Sequence, residues 1–468
     1  MRNKAVTAIM LFVLSVSMLT PAINVEAEVF ETIYIEADGS IVPSTAPISR
    51  VGDLYTLTDD ILGEIVVERD NIVIDGASYT IQGTDFNDQN GIEMVDRANI
   101  TASNLKLTNL DFGIYLRRTI NSTFHNITIS NSYFGFAVYN SNYSAFIDNN
   151  LTACSGGFYL GKSNSSVIIN NEITNQTFGI QMDYSQNNLF INNNVSSNLF
   201  FGFIIRHSTN NTFSNNSILD TYKGIEGVGM SFSYSNKNRL DNNILDSNTL
   251  IGIRFLESNE NTLFDNLLSN NNGGIALLNS ANNNVVGNTI SDNENGLITV
   301  SGGISFPNNT LFHNNFFDNT VQASSTAGKI NDWDDGYPSG GNYWSDYTGT
   351  DADSDGIGDT SYVISTDNED RYPLMTPWTP KPSTPLESLT VFVETIETMN
   401  LPKGIENSLT VKLENAIKQL DKGNENSVVN KLTAFINQVE ALKGKKLTNE
   451  QADRLASEAQ RIINLIQE

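Results

Sequence analysis

The chain of 468 residues holds a single cysteine, Cys154, and three histidines, His125, His207 and His313. A lone cysteine cannot make an intramolecular disulfide, so stability has to come from packing; Cys154 reads as a buried small hydrophobe. Histidines scattered this widely, with one thiol, do not supply the clustered imidazole or sulfur ligands of a copper site. Basic residues are scarce as well: 27 Lys and Arg stand against 53 Asp and Glu, a formal charge of −26. That argues against nucleic acid and anionic lipid as partners, since both require a basic surface, and it suits a protein that tolerates salt or binds cations. No apolar run after residue 27 is long enough for a membrane span, which takes about 20 residues. The N-terminus has a secretory pattern instead: Arg2 and Lys4, an apolar stretch from Ala8 to Leu19, and the small-residue exit Val25-Glu26-Ala27. Residues 1–27 are therefore expected to be a signal peptide cleaved before Glu28, and the protein to be extracellular or at the cell surface.

Glycine, by contrast, is plentiful and periodic. The series Gly91, Gly113, Gly135, Gly157, Gly179, Gly202, Gly229, Gly252, Gly274 and Gly296 has gaps of 22 four times, then 23, 27, 23, 22 and 22. Each glycine opens an alternating segment such as Gly113-Ile114-Tyr115-Leu116-Arg117, the period of a short strand with one buried face. Eleven residues on comes an apolar position (Phe124, Phe146, Ile168, Phe190, Phe213), and five further another (Ile129, Leu151, Ile173, Val195, Ile218). Between them runs a file of asparagines: Asn149, Asn171, Asn193, Asn216, Asn243, Asn266 and Asn288. Asn, Ser and Gly interrupt the apolar pieces too often for helices.

A repeat this short cannot bury its own hydrophobic face and must stack. Stacked strands lie about 4.8 Å apart, so ten coils make a rod on the order of 50 Å long. Asparagines in file can hydrogen-bond along such a stack, and glycine fits either a left-handed turn or a close approach of coils. A β-propeller blade takes about 40–50 residues, and the leucine consensus of a leucine-rich repeat is missing. The expected fold is mainly β: a parallel β-helix of about 22-residue coils, right-handed by the crossover rule, followed by a small all-α domain.

Two places carry candidate chemistry. With Gly+1 and Gly+3 buried, the outward positions hold Tyr115, Arg117, Tyr139, Tyr159, Gln181, Asp183, Arg206 and Arg254. Tyrosines among Arg, Asp and Gln suit a linear polysaccharide lying along the rod; the same pattern is also ordinary sheet surface, where tyrosine is favoured. Catalysis has little to stand on, because a glycosidase needs two carboxylates about 5–9.5 Å apart. Asp183 and Arg206 on adjacent coils are the only suspects for a lyase or hydrolase, and they equally make a surface ion pair. The second place is Asp351-x-Asp353-x-Asp355-Gly356-x-Gly358-Asp359, with oxygen ligands at positions one, three, five and nine and glycine at six. That is the spacing of a calcium loop. Tyr362 at position twelve departs from an EF-hand, and the loop resembles those of thrombospondin type-3 or dockerin modules. Asp346 or Asp367 would complete the shell. Structural Ca²⁺ is expected, bound by Asp351, Asp353, Asp355 and Asp359.

Asp70-Asn71-Ile72-Val73-Ile74-Asp75-Gly76 with Tyr79-Thr80-Ile81-Gln82-Gly83, the later Asn-Asn-Thr-Phe phrases, and Gly341-Asn342-Tyr343-Trp344-Ser345-Asp346-Tyr347 resemble the NosD-like β-helix family, which carries the carbohydrate-binding and sugar-hydrolase repeat. The resemblance spans roughly residues 50–378, most closely to versions in archaeal surface proteins. It implies the fold, while the family's copper association does not carry over to these histidines. The Asp-Pro-His motif of uronate epimerases and the paired aspartates of polygalacturonases are absent.

Trp378 opens a Pro-rich linker, 379–385, beyond which apolar residues take helical spacing near 386–399, 405–421, 425–442 and 449–467, with a capping box at Thr448-x-x-Gln451. Gly404-Ile405-Glu406-Asn407-Ser408-Leu409 and Ala434-Phe435-Ile436-Asn437-Gln438-Val439 resemble the FIMAH-type module of secreted proteins. The expected organisation is a signal at 1–27, a β-helix with N-terminal cap at 28–330, an acidic calcium-loop segment closing it at 331–378, the linker, and a helical domain at 386–468. The favoured function is an exported surface protein that binds or is displayed against polysaccharide or envelope glycan without catalysis. The helical module offers a place where other surface proteins could be expected to bind. A polysaccharide lyase or hydrolase, and a purely structural envelope component, are the alternatives. Asn-x-Ser/Thr sequons at Asn121, Asn126, Asn150, Asn164, Asn175, Asn194 and Asn308 offer glycan sites in an exported chain, although in a chain so rich in Asn, Ser and Thr chance accounts for most of them.

Overall fold

The computed structural model describes residues 29–83, 89–222, 227–301, 308–326, 330–379, 384–399, 401–447 and 449–467. Residues 1–27, expected to be a signal peptide, and most of the linker lie outside them. The chain divides into two compact units between Trp378 and Thr379.

The first unit is a parallel β-helix. Each coil contributes three strands, which in the coil of Gly113 are Phe112–Arg117, Thr123–His125 and Thr128–Ser130. The first and third strands of successive coils join a 26-stranded sheet and the second a 13-stranded one. Register is kept from coil to coil: Phe124 pairs with Phe146, Phe146 with Ile168, Ile168 with Phe190. The 27-residue interval before Gly229 leaves it intact, since Phe201 still pairs with Val228.

Short strands need sharp corners, and the corners explain the asparagine content. Each coil from that of Gly91 to that of Gly274 turns through four left-handed residues, as at Tyr184, Asn187, Asn192 and Ser197 or at His207, Asn210, Asn215 and Asp220. Asparagine tolerates that conformation better than other side chains with a Cβ. The residue after each left-handed one points inward, which accounts for the Asn-Asn pairs: Asn192 and Asn215 turn the chain, while Asn193 and Asn216 are buried. Asn216 Oδ1 accepts from the backbone N–H of Asn193 at 3.0 Å and from its Nδ2 at 2.9 Å, and the same pair of bonds links Asn243 to Asn216.

Three further polar ladders line the other corners. One runs Ser141, Ser163, Ser185, Ser208, Ser235 and Ser258. Another passes from serines into asparagines at Ser166, Asn188, Asn211 and Asn238. Cys154 belongs to the third, its N–H donating to Gln176 Oε1 at 2.7 Å. Burial pushes its thiol up to about 11, so it is an inert spacer in a polar file. Between the ladders, aromatic rings stack along the axis: Phe124 on Phe146 at 5.3 Å, Phe136 on Phe158 at 4.8 Å, Phe190 on Phe213 at 4.9 Å and Phe232 on Phe255 at 4.8 Å.

The repeated glycines serve close approach, not turning. None of Gly113 to Gly274 in the file is left-handed, and a Cβ on Gly202 would meet the carbonyl oxygen of Gly229 at 2.6 Å. At the far end the stack is closed by Phe316 on Trp344 (4.3 Å) and Trp344 on Tyr362 (4.2 Å), both nearly parallel.

The second unit has four helices, α1 (Pro385–Thr398), α2 (Lys403–Leu420), α3 (Glu425–Leu442) and α4 (Asn449–Gln467). Leu389, Phe392, Leu409, Leu432, Phe435 and Ile462 form its core. Asn424 caps α3 by accepting from Ser427 N. The capping box read at Thr448 lies outside the described residues.

Candidate functional site

Parallel register turns the outward positions of the glycine-led strands into two vertical files. One runs Tyr115, Ala137, Tyr159, Gln181, Ile204, Ser231 and Arg254. The other runs Arg117, Tyr139, Gly161, Asp183, Arg206 and Ser233. All eight residues singled out from the sequence share this face. Arg117 and Arg206 are exposed, and the other six are half-buried.

The lower coils form an aromatic band. Ring centroids of Tyr115 and Tyr139 are 5.7 Å apart, and those of Tyr139 and Tyr159 5.0 Å. The sequence reading missed a third file, one residue before each glycine, that widens the band: Phe112 stacks on Tyr115 at 5.4 Å and Phe134 lies edge-on to Tyr159 at 5.9 Å. The aromatic recurrence at Phe112, Phe134, Phe178 and Phe201 is the signal that marks it. Two glycines give the rings room. A Cβ on Gly156 would strike the Phe134 ring, and one on Gly161 would come within 2.8 Å of Tyr159. Ala137 is fully covered among the tyrosines.

Charge sits in the upper coils. Asp183 receives Gln181 Nε2 at 2.9 Å and lies 3.7 Å from Arg206. Burial, and then the Asp183 carboxylate, push the Tyr159 phenol up to about 12, so it remains a hydrogen-bond donor. Arg254 is held by two bonds to Ser231 Oγ, at 3.2 and 3.0 Å, and lies 5.7 Å from the centre of the Phe201 ring. Beside these files, His207 is sandwiched between Tyr184 (4.7 Å) and Tyr234 (5.1 Å).

The aspartate loop gathers three of its four expected ligands. Asp351, Asp353 and Asp355 each bring a carboxylate oxygen within 4.8 Å of the others, and they form the only such group of three or more His, Cys, Asp or Glu among the described residues. Asp351 also accepts from the N–H groups of Asp355 and Gly356, which bends the loop around it. Asp359 stands apart, its Oδ2 accepting from Ala352 N at 2.9 Å and Thr350 Oγ1 at 3.0 Å. Asp346 is taken up by the Tyr362 hydroxyl (3.1 Å), and Asp367 lines a separate acidic cleft with Asp332, Asp335 and Glu369. The loop is tied to the rod's closing segment through Gly358 N to Pro373 O and Met375 N to Gly356 O.

The profile of the family described as periplasmic copper-binding protein (NosD) matches residues 61–227 and 220–349, and the chain belongs to that family. A FIMAH domain matches residues 392–464. No curated protein matches the chain. Among solved structures, the A-modules of the Azotobacter vinelandii mannuronan C-5 epimerases AlgE6 and AlgE4 are each 15% identical. AlgE6 covers 60% of this chain and 86% of its own at a TM-score of 0.49, and AlgE4 64% and 87% at 0.46. A DFA-IIIase from Arthrobacter chlorophenolicus A6, solved with DFA-III, is 12% identical over 54% of this chain and 74% of its own, at 0.39. At such identities these likenesses concern architecture alone.

The copper in the family's description does not fit the donors present. His207 is stacked between tyrosines, His313 bonds Ser339 O at 3.0 Å and stacks on Trp378, and Cys154 is buried in its ladder. Copper prefers clustered imidazole and sulfur ligands. The carboxylates of Asp351, Asp353 and Asp355 are a hard-oxygen set suited to calcium.

Proposed function

We propose that the protein is an exported, non-catalytic β-helix that binds polysaccharide along the face of Tyr115, Arg117, Tyr139, Tyr159, Gln181, Asp183, Arg206 and Arg254. The observation that carries this reading is the contiguous aromatic band, kept open by Gly156 and Gly161. Rings held in place by burial offer sugar rings a large apolar area at little entropic cost. Asp183, Gln181 and Arg206 lie one to two coils further along, where a linear chain would present its hydroxyls. Export rests on the N-terminal pattern of residues 1–27, and the helical unit supplies a surface for other envelope proteins.

Tyr139→Ala with Tyr159→Ala is expected to abolish retention on immobilised polysaccharide, with a loss of at least tenfold in affinity, while Tm falls only modestly. Undiminished retention by a folded double variant would remove this face from the reading. A wild-type chain retained by no polysaccharide in a panel would favour the structural envelope component.

The same proposal gives Asp351, Asp353 and Asp355 a structural Ca²⁺, with Asp359 bracing the loop from outside. The loop lies between Trp344 and Tyr362, so ordering it holds the terminal ring of the aromatic stack in place. Extracellular calcium modules bind at about 10⁻⁴–10⁻³ M. Calcium at about a hundred times Kd is therefore expected to stabilise the β-helix unit by about 2.7 kcal/mol. The check is denaturation in calcium and in chelator, and Asp351→Asn with Asp353→Asn should erase the difference. A calcium-independent midpoint in the wild type would overturn the assignment.

A further inference from the structure

We infer that the sugar chain taken by this face is anionic, carrying carboxylate or sulfate groups; the inference rests on the polysaccharide reading above. Over the whole chain acidic residues outnumber basic ones, 53 to 27. On the two outward files from Tyr115 to Leu256 the balance is reversed: Arg117, Arg206 and Arg254 face one carboxylate, Asp183. Glu93, which pairs with Tyr115, borders the face one coil earlier.

The three arginines differ in how they are held. Arg254 is fixed over Phe201 by its bonds to Ser231, so its guanidinium is ordered before any ligand arrives. Arg206 has its side chain 46% exposed and only a 3.7 Å contact to Asp183, which leaves room for a second acceptor. Arg117 is exposed beside Tyr139, next to the aromatic band. A guanidinium is the side chain that best matches a planar carboxylate or a sulfate through paired N–H donors.

Arg206 and Arg254 lie two coils apart, and Arg117 four coils before Arg206. At about 4.8 Å per coil, these separations are on the order of 10 and 19 Å. A linear polymer with an anion on many of its residues can meet all three. The protein's overall charge of −26 does not prevent this. The Debye length at physiological ionic strength is about 8 Å, so a bound anion responds to the arginines in contact with it and little to distant carboxylates.

The test uses the full chain at about 0.15 M salt and two matched pairs of polymers. One is polygalacturonate against its fully methyl-esterified form; the other is a sulfated galactan against the same galactan desulfated. Exposed charge contacts are individually weak, so three together are expected to favour a charged member about tenfold in Kd. Arg117→Gln with Arg206→Gln should weaken binding of the charged member by a larger factor than that of the neutral member and so bring the ratio down toward one; a ratio that stays at about tenfold would overturn the inference. Preference in the first pair alone identifies carboxylate, in the second alone sulfate, and in both a general anion site. Neutral members bound as tightly as charged ones would overturn the inference while the polysaccharide reading stood. Binding to none of the four would defeat that reading as well. Thermal melts of the double variant separate a lost contact from a lost fold.

Discussion

Replacing Asn216 by leucine should lower the stability of the β-helix unit by about 3–6 kcal/mol, while Asn215→Gly beside it should change it by less than about 1 kcal/mol. Leucine matches asparagine in size, so the difference is one of hydrogen bonds. Asn216 Oδ1 satisfies both the N–H and the side-chain amide of Asn193, and its own amide donates to Phe190 O at 2.9 Å and Asn243 Oδ1 at 3.0 Å. The substitution strands two buried donors and deprives two acceptors. Each buried group left unsatisfied costs about 1–3 kcal/mol, against a total stability of about 5–15 kcal/mol for a typical domain. Asn215 is left-handed, and its amide touches only Ser214 Oγ, at 3.2 Å. Glycine accepts that backbone without strain, and Gly287 already occupies the same file with a left-handed φ of 73°. Denaturant titration of both variants reads the contrast. Equal, small losses would mean that the ladder is not dry. A solenoid divided at one coil can also unfold in two steps, because its stability is a sum over neighbouring repeats.

That pair of asparagines also marks how much the sequence could say. The inward file at Asn149 to Asn288 is legible because one residue type keeps one spacing. The other three ladders are built on the same principle and were missed. Any short polar side chain that reaches the coil above will serve there, so serine, threonine, glutamine, cysteine and asparagine alternate and no letter repeats. The outward face follows from strand alternation, and all eight of its chosen residues fall together. The Phe112 file escaped because it breaks that alternation at the glycine. In the aspartate loop, spacing places the carboxylates but does not orient them. Asp359 stands at a ligand position and turns to Ala352 N instead. Contacts across long separations left no trace in the pattern. Trp378 bonds Asn315 through both its N–H and its carbonyl, 63 residues away, and packs over Gly287.

Gly202→Ala should cost about 3 kcal/mol, at the upper end of what one inserted methyl group does in a packed interior. The new Cβ would lie 2.6 Å from the carbonyl oxygen of Gly229 and 2.6 Å from Ile218 Cγ2. A side chain can rotate away, but the carbonyl belongs to the next coil, whose strand is held in register on both sides. Relief therefore requires separating two coils along the whole strand. The penalty is steric and owes nothing to backbone preference, because Gly202 is not left-handed. Gly273, next to a member of the same file, isolates that cause. Its Cβ would come closest to Ile251 Cγ1 at 3.3 Å, a side-chain atom that can shift, with Leu250 O at 3.6 Å and Ile298 Cδ1 at 3.7 Å in ordinary contact, so Gly273→Ala is expected to cost less than about 1 kcal/mol. In the helical unit, Gly404 has nothing within 4 Å and sits in α2. Gly404 is in the first turn, where glycine costs less than in a helix interior, so alanine there should stabilise that unit by no more than about 0.5 kcal/mol. Separate melting of the two units would show one falling and the other rising. If Gly202→Ala instead melted with the wild type, the coils would have room for a Cβ, and the glycine repeat would need a cause other than close stacking.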